Sequence, residues 1–191
     1  MGIATVSLLG VLVLVVVWAV MMYNNLVQLK HNVSKAWANI DVLLKQRHDE
    51  LPKLVETCKQ YMKFEQETLT KVMEARAKVF TAREAQNIPQ LGQAEGALRA
   101  TLGSLFALAE AYPDLKTNQT FQQLQTRISS LENAIADRRE FYNESVNINN
   151  VRIEQFPDSI VAGMFNFKPA PLLEFSAEEK ADVDVGKLFK S

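Results

Sequence analysis

Residues 119–142 read QTFQQLQTRISSLENAIADRREFY, and within them Phe121, Leu124, Ile128, Leu131, Ile135, Arg138 and Tyr142 recur in alternating steps of three and four. That alternation lays one stripe along an α-helix, because residues three and four apart share a face. The pattern predicts a helix from about Asn118 to Gln155, stopped at Phe156-Pro157 because proline cannot continue the backbone ladder. Its stripe is apolar except at Arg138.

Upstream, the same rhythm runs through Leu91, Ala94, Leu98, Leu102, Leu105, Phe106 and Ala109, predicting a helix from about Pro89 to Ala111 that ends at Tyr112-Pro113-Asp114. Gly92, Gly96 and Gly103 lower its propensity by up to ~1 kcal/mol each relative to Ala, and a neighbouring helix approaching closely is the expected compensation. Before it, Asp49 can cap a helix and Pro52 suits a first turn, so a further helix is expected from there to about Gln86. Leu54, Val55, Cys58, Tyr61, Met62, Leu69, Val72, Met73, Val79 and Phe80 form its inward set. Earlier still, Leu26, Leu29, Val33, Ala36, Ile40 and Leu43 lay down another stripe, broadened by Trp37 and Leu44. Four amphipathic helices with short connectors predict an all-α, up-and-down, antiparallel four-helix bundle.

Ahead of the bundle, Ile3–Met22 runs for twenty positions without a charged side chain. At ~1.5 Å per residue this reaches about 30 Å, the thickness of a bilayer's hydrocarbon core. Trp18 and Tyr23 sit toward the downstream end, where amphipathic rings favour the interface. Met1-Gly2 carries no basic side chain and Ala19-Val20-Met21 breaks the small-x-small cleavage pattern, so an uncleaved anchor is expected rather than a signal peptide. No Gly or Pro separates Met22 from Leu26, and the span should continue into the bundle's first helix without a hinge. Lys30 and Lys35 follow the span and no basic residue precedes it, which favours a cytoplasmic bundle and a translocated N-terminus.

Downstream, Phe156, Ile160, Val161, Met164, Phe165, Phe167, Leu172, Leu173 and Phe175 crowd among Pro157, Gly163, Pro169 and Pro171. Such a segment is apolar yet cannot be one long helix, and it should lie against something. The organisation expected is an anchor over 1–23, a bundle over 24–156, an apolar tail over 157–175 packing on the bundle, and an acidic, flexible end over 176–191. Phe165, Phe167 and Phe175 are the tail's candidate interaction residues.

Composition narrows the function. Formal charge is −1, from 21 Lys plus Arg against 22 Asp plus Glu, so no basic field exists to attract nucleic acid. His31 and His48 are isolated, no Glu-x-x-His of the di-iron type occurs, and no glycine-rich phosphate loop follows a strand, so neither metal nor cofactor is expected. Cys58 falls on an apolar face without a histidine partner and reads as a buried small side chain. Arg138 on its stripe reads as a structural ion pair fixing helix register, with Glu132, Glu110 or Asp41 as partner. Tyr142 with Asn143, Asn147, Asn149 and Asn150 reads as an amide network rather than a ligand site.

Four stretches also resemble the LemA family, in order and spacing: LLKQRHDELPKLVETCKQYMKFEQETL, EAYPDLKTNQTFQQLQ, LENAIADRREFYNESVNINN and FPDSIVAGMFNFKP, together spanning about Tyr23 to Phe175. Arg47, Asp49 and Pro52 match that family's pattern, whereas Gln46, Glu50 and Lys53 depart from it. The resemblance implies a bacterial membrane protein with an N-terminal transmembrane helix, a helical-bundle domain and no established catalytic activity. The reading is therefore a bacterial inner-membrane scaffold or adaptor, not an enzyme, whose partners are the bilayer, other proteins or further copies of itself. The rival is a homo-oligomer that shapes or organises the membrane, and an uncharacterised enzyme stands third.

Overall fold

The computed structural model describes residues 2–174, with the side chains of Ala4 and Thr5 excepted. Phe175 and the acidic segment 176–191 lie outside the described residues. The fold is all-α, with no strand among the described residues: α1 Ile3–Tyr61, α2 Gln66–Glu84, α3 Ile88–Ala109, α4 Pro113–Lys116, α5 Gln119–Glu154 and α6 Asp158–Met164. The first twenty or so residues of α1 form an apolar stretch long enough to cross a membrane, with nearly all their described side chains exposed.

The helix boundary expected at Asp49–Pro52 is absent, because α1 runs through Pro52 to Tyr61. Proline removes the amide that would have paired with the His48 carbonyl four residues back. Here Arg76 Nε donates to that carbonyl at 2.9 Å, so the ladder's missing bond is made from another helix. The helix stops instead at Met62–Glu65, ahead of α2. α2 closes with Gln86 in the left-handed region at φ 51°, Asn87 N–H donating to the Ala82 carbonyl and Gln86 N–H to the Arg83 carbonyl. These two bonds satisfy carbonyls that a helix end leaves open. Asn87 then caps α3 by accepting from Gln90 N–H, and Asn118 does the same for Phe121 at the start of α5.

The chain divides into two compact units. One contains Ile40–Arg139 together with residues 173 and 174. In it α2 and α3 pack side by side, burying Leu69, Val72, Ala75, Val79 and Ala82 of the first and Leu91, Ala94, Leu98, Leu102 and Leu105 of the second. Ile40, Leu44, Leu51, Leu54 and Cys58 from α1 and Phe121, Ile128 and Ile135 from α5 are buried as well. Phe80, expected inward, is half-exposed and stacks on His48 with ring centroids 4.9 Å apart. The close approach expected of a helix at the α3 glycines is made by the tail: a Cβ on Gly92 would lie 1.9 Å from the Glu174 carbonyl oxygen. At Gly103 such an atom would meet nothing within 4 Å.

The other unit contains α1 up to Asn39 and Glu140–Leu172. Met22 and Leu26 of α1 pack with Val161 and Ala162 of α6, and Ile153 and Phe167 close the cluster. α6 ends with Asn166 at φ 55°, Phe167 N–H donating to the Ala162 carbonyl, so an asparagine fills the left-handed position that glycine often takes.

Candidate functional site

Two constellations of polar and aromatic side chains stand out, one in each unit. In the unit built on Ile40–Arg139, α1 places Arg47 on the buried row Ile40, Leu44, Leu51 and Leu54. α3 places Glu95 on the row Leu91, Leu98 and Leu102, and α5 brings Glu132 beside buried Leu131. The Arg47 guanidinium donates through Nη2 to Glu95 and through Nη1 to Glu132, one cation held by two carboxylates from two other helices. Arg47 and Glu95 are 1% and 2% exposed. Burial works against the charged guanidinium, but the two adjacent carboxylates outweigh it and hold its pKa above the ordinary value. Burial also pushes the Glu95 carboxyl up, and the Glu132 charge adds to this while Arg47 and Arg139 oppose it.

Arg138 is not the core arginine. It is exposed, whereas Arg139 is half-buried and the deeply buried arginine is Arg47. The row itself stays inward on either side, with Ile135 and Tyr142 buried. Asp41 binds Arg83 instead, accepting from Nε at 2.5 Å and Nη2 at 2.9 Å. Glu132 accepts from Arg47, and Glu110 pairs with Lys116. Glu95 and Glu132 are thus both committed to the Arg47 guanidinium, Glu95 fully buried and Glu132 17% exposed. Cys58 is buried, which pushes its thiol up to about 11, far from thiolate reactivity at neutral pH. Among the described residues no three His, Cys, Asp or Glu side chains are grouped to hold a metal ion.

In the other unit, the amide cluster and the tail form one assembly. Pro169 and Pro171 lack amide hydrogens, so Ala170 supplies the one N–H between them. Asn150 takes it with Oδ1 at 2.9 Å and returns Nδ2 to the Ala170 carbonyl at 2.9 Å, while Tyr142 Oη donates to the Pro171 carbonyl at 2.9 Å. Trp37 meets the Tyr142 ring edge-on at 5.9 Å. Phe165 and Phe167 sit around Tyr23, with ring centroids 4.6 and 5.9 Å from it. A groove of about 770 Å³ opens there, lined by Tyr23, Lys30, His31, Phe165, Phe167 and Lys168 among others.

This geometry can be set beside known proteins. The LemA family model matches residues 36–186. The chain belongs to the LemA family. Protein LemA of Metamycoplasma hominis is 28% identical over 166 residues, covering 86% of this chain and 74% of that protein. Magnetosome protein MamQ 2 of Paramagnetospirillum magneticum is 29% identical over 97 residues, 51% of this chain and 36% of that protein. Magnetosome protein MamQ of Magnetospirillum gryphiswaldense is 33% identical over 75 residues, 39% of this chain and 28% of that protein. The LemA-family chain thus spans about a third or less of the MamQ proteins it matches. LemA family membership and the apolar first helix together make it a membrane-associated helical protein.

Proposed function

We propose that this LemA-family protein is a scaffold or adaptor held by a single membrane-spanning helix, working by contact with other proteins or with further copies of itself and not by catalysis. The observation that carries the reading is an apolar row on α5 left without a partner among the described residues. Phe141, Ile148 and Val151 are 53%, 46% and 51% exposed, on the side of the helix away from buried Tyr142, Val146 and Asn149. Spacings of seven and three are those by which one helix seats on another. The four long helical stretches are read as an antiparallel four-helix bundle. Paired polar groups, such as Arg47 with its two glutamates, suit a domain that keeps its shape and offers its surface. Lys30 and Lys35 past the span support a cytoplasmic domain at a bacterial inner membrane. Proteolysis of spheroplasts carrying a C-terminally tagged chain reads the orientation directly. For the scaffold itself, a photocrosslinker at Phe141 or Ile148 should trap discrete partners or oligomers in intact membranes, and Ile148→Glu should abolish them. A protein that stays solitary in both tests is no scaffold.

A second reading is a membrane-shaping or membrane-organising assembly. It is favoured by the exposed apolar side of α6 beside the anchor, and by relatives whose name places them with the magnetosome. Reconstitution into liposomes followed by electron microscopy tests it, since unchanged vesicles with scattered monomers contradict it.

A further inference from the structure

Beside the residues where the apolar run of α1 ends, the chain returns and lays α6 against the same stretch. Met22 and Leu26 pack on Val161 and Ala162, Tyr23 on Phe165 and Phe167, and a cleft of about 460 Å³ gathers Trp18, Met21 and Met22 with Phe156 and Pro157. The buried side of α6 is thereby accounted for. Beyond these contacts, Ile160 and Met164 of α6, four residues apart, are 53% and 76% exposed, and the flanking Phe156 and Phe165 still leave 78% and 57% of their surface exposed. Exposed apolar side chains gathered in this way beside a membrane span mark an interaction site. Asp158, the acid on α6, is turned inward, 3% exposed and paired with Arg152 at 3.1 Å, so it puts no carboxylate on the outer side.

Just past this level the charges change sign in favour of an anion. Lys30, His31 and Lys168 line the groove beside Tyr23, Phe165 and Phe167, and no carboxylate is among its lining residues. Among the described residues neither the Lys30 nor the Lys168 ammonium is paired with an acid. Lys30 follows Tyr23 by seven residues, about 10 Å along the helix axis. Helical side chains lean toward the N-terminus, here toward the span, and a lysine stem can reach further the same way. Phosphates of a lipid headgroup layer lie within that reach.

We propose that α6 and its flanks form a second membrane contact: Phe156, Ile160, Met164 and Phe165 seat in the acyl–headgroup boundary of the leaflet from which α1 emerges, and Lys30 and Lys168 hold the phosphate of an anionic phospholipid. The occupant is the bilayer itself, because the patch adjoins the end of the span, presents apolar groups at interface depth and has basic groups just beyond, in a groove whose lining includes no carboxylate. A peptide partner would have no need of that order along the helix axis. The inference rests on the anchor reading, and carbonate extraction of the wild-type chain checks that reading separately: release of the protein defeats the anchor, whereas retention leaves the α6 contact to be tested by itself.

The test uses the full chain in vesicles of phosphatidylglycerol and phosphatidylcholine, spin-labelled through Phe156→Cys, Met164→Cys or, as an aqueous control, Lys45→Cys. Buried Cys58 stays unlabelled. The labels at 156 and 164 should meet oxygen several-fold more readily than a water-soluble nickel chelate, with the opposite order at 45. Equal exposure of all three labels to the chelate overturns the proposal. So does dipolar broadening between labels at 164, which would place a second copy of the chain on the patch. Enrichment of spin-labelled phosphatidylglycerol over phosphatidylcholine around the protein should fall in Lys30→Gln/Lys168→Gln and withstand excess inorganic phosphate. Displacement of the lipid by phosphate assigns the groove to a free anion and overturns the lipid assignment, as does enrichment undiminished in the double variant.

Discussion

Arg76 and Pro52 are complementary: the proline takes away one backbone donor and the arginine supplies another, 2.9 Å from the same His48 carbonyl. This is how α1 crosses residue 52 in one piece. Losing the arginine should leave a half-buried carbonyl unpaired, at a cost of about 1–3 kcal/mol in Arg76→Met. In a Pro52→Ala background the carbonyl regains its helical partner, so the same substitution should cost distinctly less. Thermal unfolding of the four proteins of this cycle in detergent gives the coupling, and strictly additive effects refute the pairing.

Arg47 should be among the least replaceable side chains in the protein. Arg47→Met leaves two carboxylates facing each other in the core and is expected to destabilise by ~3–5 kcal/mol. A variant that also replaces Glu95 and Glu132 by leucines should recover most of that loss. Denaturant midpoints of the single and triple variants separate the cost of stranded charge from the worth of the cluster.

Glu95 makes a pH signature. Burial raises its folded pKa above the usual 4.5, so its contribution to stability is full below the unfolded value and is lost as pH rises through the folded value. Relative to Glu95→Gln, the wild type should therefore lose stability on going from pH 4.5 towards neutrality. A difference between the two proteins that is flat across that window contradicts the raised carboxyl.

His48 has the opposite sign. Burial first, then the Arg76 charge, hold its pKa below 6.5, and its ring nitrogen lies 2.6 Å from Arg76 Nη2, which fixes the neutral form as acceptor. Its contribution is present above 6.5 and lost as pH falls through the folded value. NMR titration should place the His48 ring below the ordinary imidazole value of 6.5, and His48→Gln should flatten the acid side of the stability curve.

Two glycines on α3 should respond in opposite directions. Gly92→Ala drives a methyl into the Glu174 backbone and should cost about 1–3 kcal/mol. Gly103→Ala meets open space inside the helix and should gain up to ~1 kcal/mol. Unfolding temperatures of both variants check this.

Much of the helical pattern could be read directly from residue order, as with the row Phe121, Leu124, Ile128, Leu131 and Ile135, all of them buried. What misled was chemistry that periodicity cannot see. Pro52 looked like a helix start because its rescuer, Arg76, stands far away in sequence. Placing a boundary there also hid the run Ile40, Leu44, Arg47, Leu51, Leu54 and Cys58, which steps four, three, four, three, four and would have flagged Arg47 as a core residue. Glu95 sits equally on rhythm between Leu91 and Leu98. Arg138 was favoured over both because it stands on a regular 3,4 row, although it is exposed between buried Ile135 and Tyr142. The end of α1 at Met62–Glu65 carries no Gly or Pro to announce it.

The grip of Asn150 on Ala170 reaches main-chain atoms alone. A clasp that reads backbone is indifferent to spelling, so Ala170 and Leu172 are free to diverge provided the prolines keep the strap extended. Position 150 has no such liberty: an aspartate there could accept from the Ala170 amide but would set a negative charge against its carbonyl, turning a two-way fastening into a one-sided one.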